Sequence, residues 1–164
     1  MNIFFSKNFI NTIKAIYIWL LGLSIGIIFS SGAFIASVLF YAKDFGIELE
    51  KFEAGILMTE IFSRINIFLL IIAFIITFYE ILSLKLESGY KAQKSILFIS
   101  SLISVICIFL FSLYYTPYII EQQKIGEIAI NTNQFLSMHK QSEWVFKILF
   151  FTLSFNLIYR ILKK

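Results

Sequence analysis

The sequence predicts an all-α protein: an integral membrane four-helix bundle with amphipathic extensions on the outer side. Three observations lead there. The 164 residues are 59% hydrophobic and only 15% charged, whereas soluble domains average about 45–50% apolar and about 25% charged. A small domain buries only roughly 60–70% of its surface, so the excess must face lipid. The apolar residues also gather in runs long enough to span a bilayer, and the basic residues flank those runs. We read residues 1–164 as one membrane domain with spans at about 15–42, 61–84, 95–117 and 144–161.

The first run, Ala15 to Ala42, has 28 uncharged residues, more than the ~20 a spanning helix needs. A signal peptide has an apolar core of about 7–15 residues followed by an Ala-x-Ala-like site; this run is longer and has no clear site. Trp19 and Tyr41 suit interfacial anchors, and Gly46 offers a helix stop. Before it, Phe5, Phe9 and Ile13 give an amphipathic stretch suited to the inner surface.

The second span, Ile61 to Leu84, has an uncharged centre of 15 residues, Ile65 to Tyr79. Arg64 and Glu80 must then sit at the hydrocarbon edges, snorkel, or face the bundle interior. Leu49, Phe52 and Ile56 form an amphipathic lead-in to it. In the third run, Ser95 to Ile120, Pro117 is expected to end or kink the helix, beside a collar of Tyr114, Tyr115 and Tyr118. Span four, from Trp144, carries Lys147, which must snorkel, and Asn156, which should bond to another helix. Asn133 is the expected N-cap of the helix leading into it.

Orientation follows from the basic residues. Lys7, Lys14, Lys85, Lys91, Lys94, Arg160, Lys163 and Lys164 fall on one side with two acidic residues, a net +6; the other side is −2. The expectation is a bacterial inner membrane protein, multi-pass, with both termini cytoplasmic and Lys43–Glu60 and Glu121–Glu143 outside. The overall +4 therefore suits membrane lipid and excludes nucleic acid as a partner.

Gly22, Gly26, Ser30, Ala33 and Ser37 form a small-residue stripe in span one, expected to be the central seam because close backbone approach drives helix association in lipid. Ser101, Ser104 and Ser112 form a looser set in span three. Glu60, Arg64, Asn66, Tyr115, His139 and Glu143 are expected to form an outward polar cluster. His139, Glu143 and Lys147 share a helix face at i, i+4, i+8.

This cluster could bind a metal, a proton or an anionic headgroup, since intramembrane ionisable residues point to function; the structural alternative is a network pinning two helices. His139 is the candidate metal ligand, with Met58, Met138 or carboxylates as helpers, and Met138 pointing to another face. The single histidine excludes bis-histidine haem within one chain. Cys107 lies in an apolar run and reads as a small hydrophobe. No phosphate loop and no catalytic residue is identified.

Several fragments together carry a resemblance. They are Leu21-Gly22 with the small residues through Gly32 and Ala33, Leu39-Phe40, Phe52-Glu53-Ala54-Gly55 before Ile61-Phe62, Tyr115-Thr116-Pro117, and Phe135-Leu136-Ser137-Met138-His139 with Ser142. In this order, from about residue 18 to the C-terminus, they resemble the family of domains of unknown function 4149, itself similar to the transmembrane protein 205-like family. The resemblance implies a four-helix membrane domain, with Gly55, Pro117 and His139 at motif positions, and implies no activity. An association with metal handling comes with the animal relative.

The resulting expectation is a non-enzymatic protein without a cofactor, binding or permeating a small solute or metal at its outward face, alone, as a homo-oligomer or in a larger membrane complex. One rival is a metal- or haem-dependent membrane oxidoreductase using His139. The other is an oligomeric transporter gated by Glu60, Arg64 and His139.

Overall fold

In a computed structural model, backbone is described for residues 7–86 and 91–162, and side chains for 8–84 and 93–162. Phe5, Glu87, Lys163 and Lys164 lie outside the described residues, as do the side chains of Lys7, Lys85 and Lys91.

Four helical stretches are long and apolar enough to cross a membrane: Asn8–Phe40, Lys51–Leu84, Gln93–Ile125 and Asn133–Leu162. The first comprises α1 (Lys7–Phe29), a π-helical segment (Ser30–Ile35) and α2 (Ala36–Phe40). The second lies within α3 (Lys51–Leu86). The third comprises α4 (Lys91–Leu110), a π-helical segment (Phe111–Tyr115) and α5 (Thr116–Ile125). After the short α6 (Glu127–Ile130), the fourth lies within α7 (Asn133–Leu162). The main helix contacts run α1 to α3, α3 to α4, α4 to α7 and α7 back to α1. Each helix thus packs between two others in a closed ring, the arrangement of an antiparallel four-helix bundle.

Tyr17, Leu21, Ile28, Leu69, Ile72, Ile76, Ile108, Leu149 and Leu153 fill the centre. The outward faces carry exposed Ile67, Phe74, Phe78, Ile99 and Phe151, as expected where the surrounding solvent is hydrocarbon.

Two helix ends repay a closer look. Gly46 has φ 78°, the left-handed conformation, and its amide N–H donates to the carbonyl of Lys43 while that of Ile47 donates to Ala42. This stops the chain as the sequence suggested. At the start of α7, the Phe135 amide N–H donates to Thr132 Oγ1 at 3.2 Å. Thr132 is therefore the N-cap and Asn133 the first helical residue, so the helix begins one position earlier than expected. Thr132→Ala should destabilise by ~1 kcal/mol, the usual loss for an N-cap, read as a lower midpoint in thermal unfolding in detergent; Asn133→Ala should leave that midpoint within error.

Two other expectations are corrected. The lead-in before span two is continuous with the span, and Ala54 and Met58 are its buried residues while Ile56 is exposed. Pro117 does not end its helix, which runs on to Ile125 and stops at Gly126 (φ 112°). The wider π turn lies directly upstream, where both the amide and the hydroxyl of Thr116 donate to the carbonyl of Phe111. A π turn changes the register of the helix against its own preceding turn, and so relieves the clash that a proline ring causes with the residue four before it.

The small-residue seam also lies elsewhere. A Cβ placed on Gly22 or Gly26 would meet nothing within 4 Å, and Ala33 and Ser37 are exposed. The buried line of the first span is Tyr17, Leu21, Ser24, Ile28 and Ser31, on the opposite side of the helix from that stripe. Close approach occurs instead between α4 and α7, through buried Ser100, Ser101 and Ser104.

Candidate functional site

Glu80 and Arg160 are the first landmark, near the ends of α3 and α7. They are 4% and 2% exposed and form an ion pair. A carboxylate and a guanidinium are held in an apolar interior only if paired and hydrogen-bonded. Tyr17 Oη donates to Glu80 Oε1 at 3.3 Å and Ser101 Oγ at 2.7 Å. The rings of Tyr17 and Tyr79 stack at 3.8 Å, and the Arg160 guanidinium lies 5.0 Å from each ring centroid. Asn156 Nδ2 donates to Ser100 Oγ at 3.0 Å, and Asn156 Oδ1 lies 3.2 Å from Ser101 Oγ. One network thereby ties α1, α3, α4 and α7 together. Of the three positions open to Glu80, the interior is the one found, and Asn156 makes its bond across to α4.

The second landmark is a cleft of about 710 Å³ toward the opposite end of the bundle. Its walls come from both π-helical segments, through Gly32 and Ala33 on one side and Phe111 on the other, and from α3, α5 and α7. π turns recur at functional sites because they displace backbone and side chains from helical register. Phe62, Phe111 and Phe146 form an aromatic cluster in the lining, with ring centroids 4.7–5.2 Å apart. Lys51, His139, Glu143 and Lys147 supply the ionisable part of the lining, and Thr59, Thr116, Gln123 and Ser142 the neutral polar part.

The six residues expected in one polar cluster are divided among separate interactions. Glu60 and Arg64 pair with each other at 3.0 Å, both exposed. Asn66 is buried and donates to Thr116 Oγ1 at 2.9 Å. Tyr115 Oη donates to Gln141 at 3.2 Å. His139 Nε2 lies 3.5 Å from Glu143, which is also 3.5 Å from Lys147 Nζ. Among the described residues, no hydrogen bond or ion pair joins the Glu60–Arg64 pair to the His139–Glu143–Lys147 row. The shared-face reading of that row holds, and both His139 and Met58 line the cleft. His139 also stacks on Phe135, with parallel rings 5.8 Å apart. Among the described residues, no three His, Cys, Asp or Glu side chains gather as a metal site would require.

Fold and composition together define a multi-pass membrane protein built as a bundle of four helices. Residues 19–127 match the family described as a domain of unknown function, DUF4149, and the chain belongs to that family. The matched stretch contains the cleft walls of the first three spans, and Gly55 and Pro117. It ends before His139 and before all of α7, short of the reach to the C-terminus that the resemblance suggested. Neither a curated protein nor a solved structure matches the chain.

Proposed function

We propose that this protein is a non-enzymatic inner-membrane protein that binds a membrane-soluble amphiphile in the cleft between its π-helical turns. The cleft itself carries the reading. Its volume of about 710 Å³ falls within the ~300–1,000 Å³ of small-molecule sites, which are lined mainly by apolar and aromatic groups with a few polar ones. Phe29, Phe62, Phe111, Phe146 and Phe150 supply the first kind, and the ionisable lining the second. A wholly apolar ligand would leave Lys51 without a counterpart and give the His139–Glu143–Lys147 row only its own internal pairs. A small hydrophilic solute would leave the phenylalanines wet. A molecule with a tail and a head satisfies both.

The basic residues support an orientation in which the Glu80–Arg160 end faces the cytoplasm with both termini, and the cleft lies in the outer half. The bacterial inner membrane is the setting that this orientation implies.

Ala33→Trp tests the proposal, because Ala33 lines the cleft yet is solvent- or lipid-exposed, so a large side chain there fills the space without disturbing the core. Native mass spectrometry of gently extracted protein should show a bound amphiphile on the wild type that is lost from Ala33→Trp, at unchanged thermal midpoint. Identical bound species on both proteins, or none on the wild type, would rule the proposal out.

A further inference from the structure

We infer that the head of the amphiphile is anionic and is held by Lys51 and Lys147. This rests on the reading of the cleft as an amphiphile site and goes on to assign the charge of its ligand. The ionisable lining contains one carboxylate, Glu143, against two lysines and His139. That carboxylate already serves two partners, His139 Nε2 and Lys147 Nζ, both at 3.5 Å, a separation at which neither is tightly neutralised. Lys147 also lies 5.3 Å above the Trp144 ring, which orients the ammonium without cancelling its charge.

Lys51 has no ion-pair partner among the described residues. The acidic groups next to it in sequence are engaged elsewhere: Glu50 pairs with Lys43 at 2.7 Å, and Glu53 accepts from the Glu50 amide N–H at 3.1 Å. Lys51 is also the first residue of α3, a helix of 36 residues. The cleft therefore carries a positive excess beside an aromatic floor. A phosphate or carboxylate head on an acyl tail complements both parts, whereas a cationic head would be repelled and a zwitterionic one would gain little.

The experiment compares three lipids with identical acyl chains: phosphatidylglycerol, phosphatidylcholine and diacylglycerol. Each is titrated into delipidated wild type, Ala33→Trp and the double variant Lys51→Gln/Lys147→Gln, and bound lipid is counted by native mass spectrometry. Both lysines are exposed, so the double variant should fold normally, and a thermal melt verifies that it does. Wild type should prefer phosphatidylglycerol over the other two by about tenfold or more, as expected for two lysines near an anionic head. The double variant should lose most of that preference while still binding all three. Equal binding of the three lipids to wild type, with loss of all in Ala33→Trp, would overturn the anionic head and leave the amphiphile site standing. Lipid binding that Ala33→Trp does not change would overturn both. An unaltered preference in the double variant would remove the two lysines as the headgroup site.

Discussion

Arg160→Ala should destabilise the folded bundle by about 3–5 kcal/mol, the cost of leaving one member of a buried ion pair without its partner. The carboxylate of Glu80 would remain 4% exposed with only the hydroxyls of Tyr17 and Ser101 as donors. Two neutral hydrogen bonds stabilise a carboxylate but do not balance its charge, and a buried carboxylate is cut off from bulk water that could do so. The stacked rings of Tyr17 and Tyr79 would lose the cation they share, and α7 would lose its ion pair with α3. The double variant Glu80→Gln/Arg160→Met should recover much of the loss, because removing both charges of a buried pair is often close to neutral. Equilibrium unfolding in bicelles, run as a double-mutant cycle, measures this. The expected coupling between the two positions is larger than 2 kcal/mol, near the upper part of the range seen for residues in one network. If each single variant cost under about 1 kcal/mol and the two effects added, the pair would be solvated and not the clamp of the bundle.

How much of this was legible in the sequence depends on what hydropathy can report. Run length fixes depth in the bilayer, and so the four spans and the interior option for Glu80 were available from the residues alone. Azimuth around the helix is a separate quantity, and neighbouring residues differ in it by about 100°. Residue size alone points to the stripe Gly22, Gly26, Ser30 as the seam. The buried line runs along the other side of the helix, stepping by four and three through Tyr17, Leu21, Ser24, Ile28 and Ser31. The same alternation marks Leu149, Leu153, Asn156 and Arg160 on α7. That spacing points Arg160 inward beside Asn156, whereas its charge alone groups it with the terminal lysines. The cleft was out of reach for another reason. It depends on two π turns, at Ser30–Ile35 and Phe111–Tyr115. Apart from Pro117 just beyond the second, nothing in the residue types signals a helix that widens by one residue per turn. The outward polar cluster failed to converge because similar depth does not imply facing sides: Glu60 and Arg64 find each other along one helix at i, i+4.

The same distinction between size and azimuth leads to the second large effect. Ser104→Leu should destabilise the bundle by about 1–3 kcal/mol, the usual range for overpacking a filled interior. Ser104 is fully buried on α4, facing α7. Its hydroxyl donates to the carbonyl of Ser100 at 3.1 Å and contacts Thr152 Oγ1 at 2.8 Å. In lipid, two helices gain little from hiding apolar surface against each other, so their association rests on close packing and on bonds of this kind. A leucine here removes the bond and forces the two backbones apart at their most extensive contact. It would do so one turn from Ser100 and Ser101, so the strain would reach the Asn156 bonds and, through Ser101, Glu80. Ser104→Ala separates the two causes: it keeps the spacing, loses only the hydroxyl, and should cost under about 1 kcal/mol, near the average measured for such bonds in a membrane. Gly26→Leu provides the control on the opposite face, where nothing lies within 4 Å of the added Cβ, and its thermal midpoint should stay at or above that of the wild type. A Gly26→Leu variant that melted lower than Ser104→Leu would return the seam to the glycine stripe.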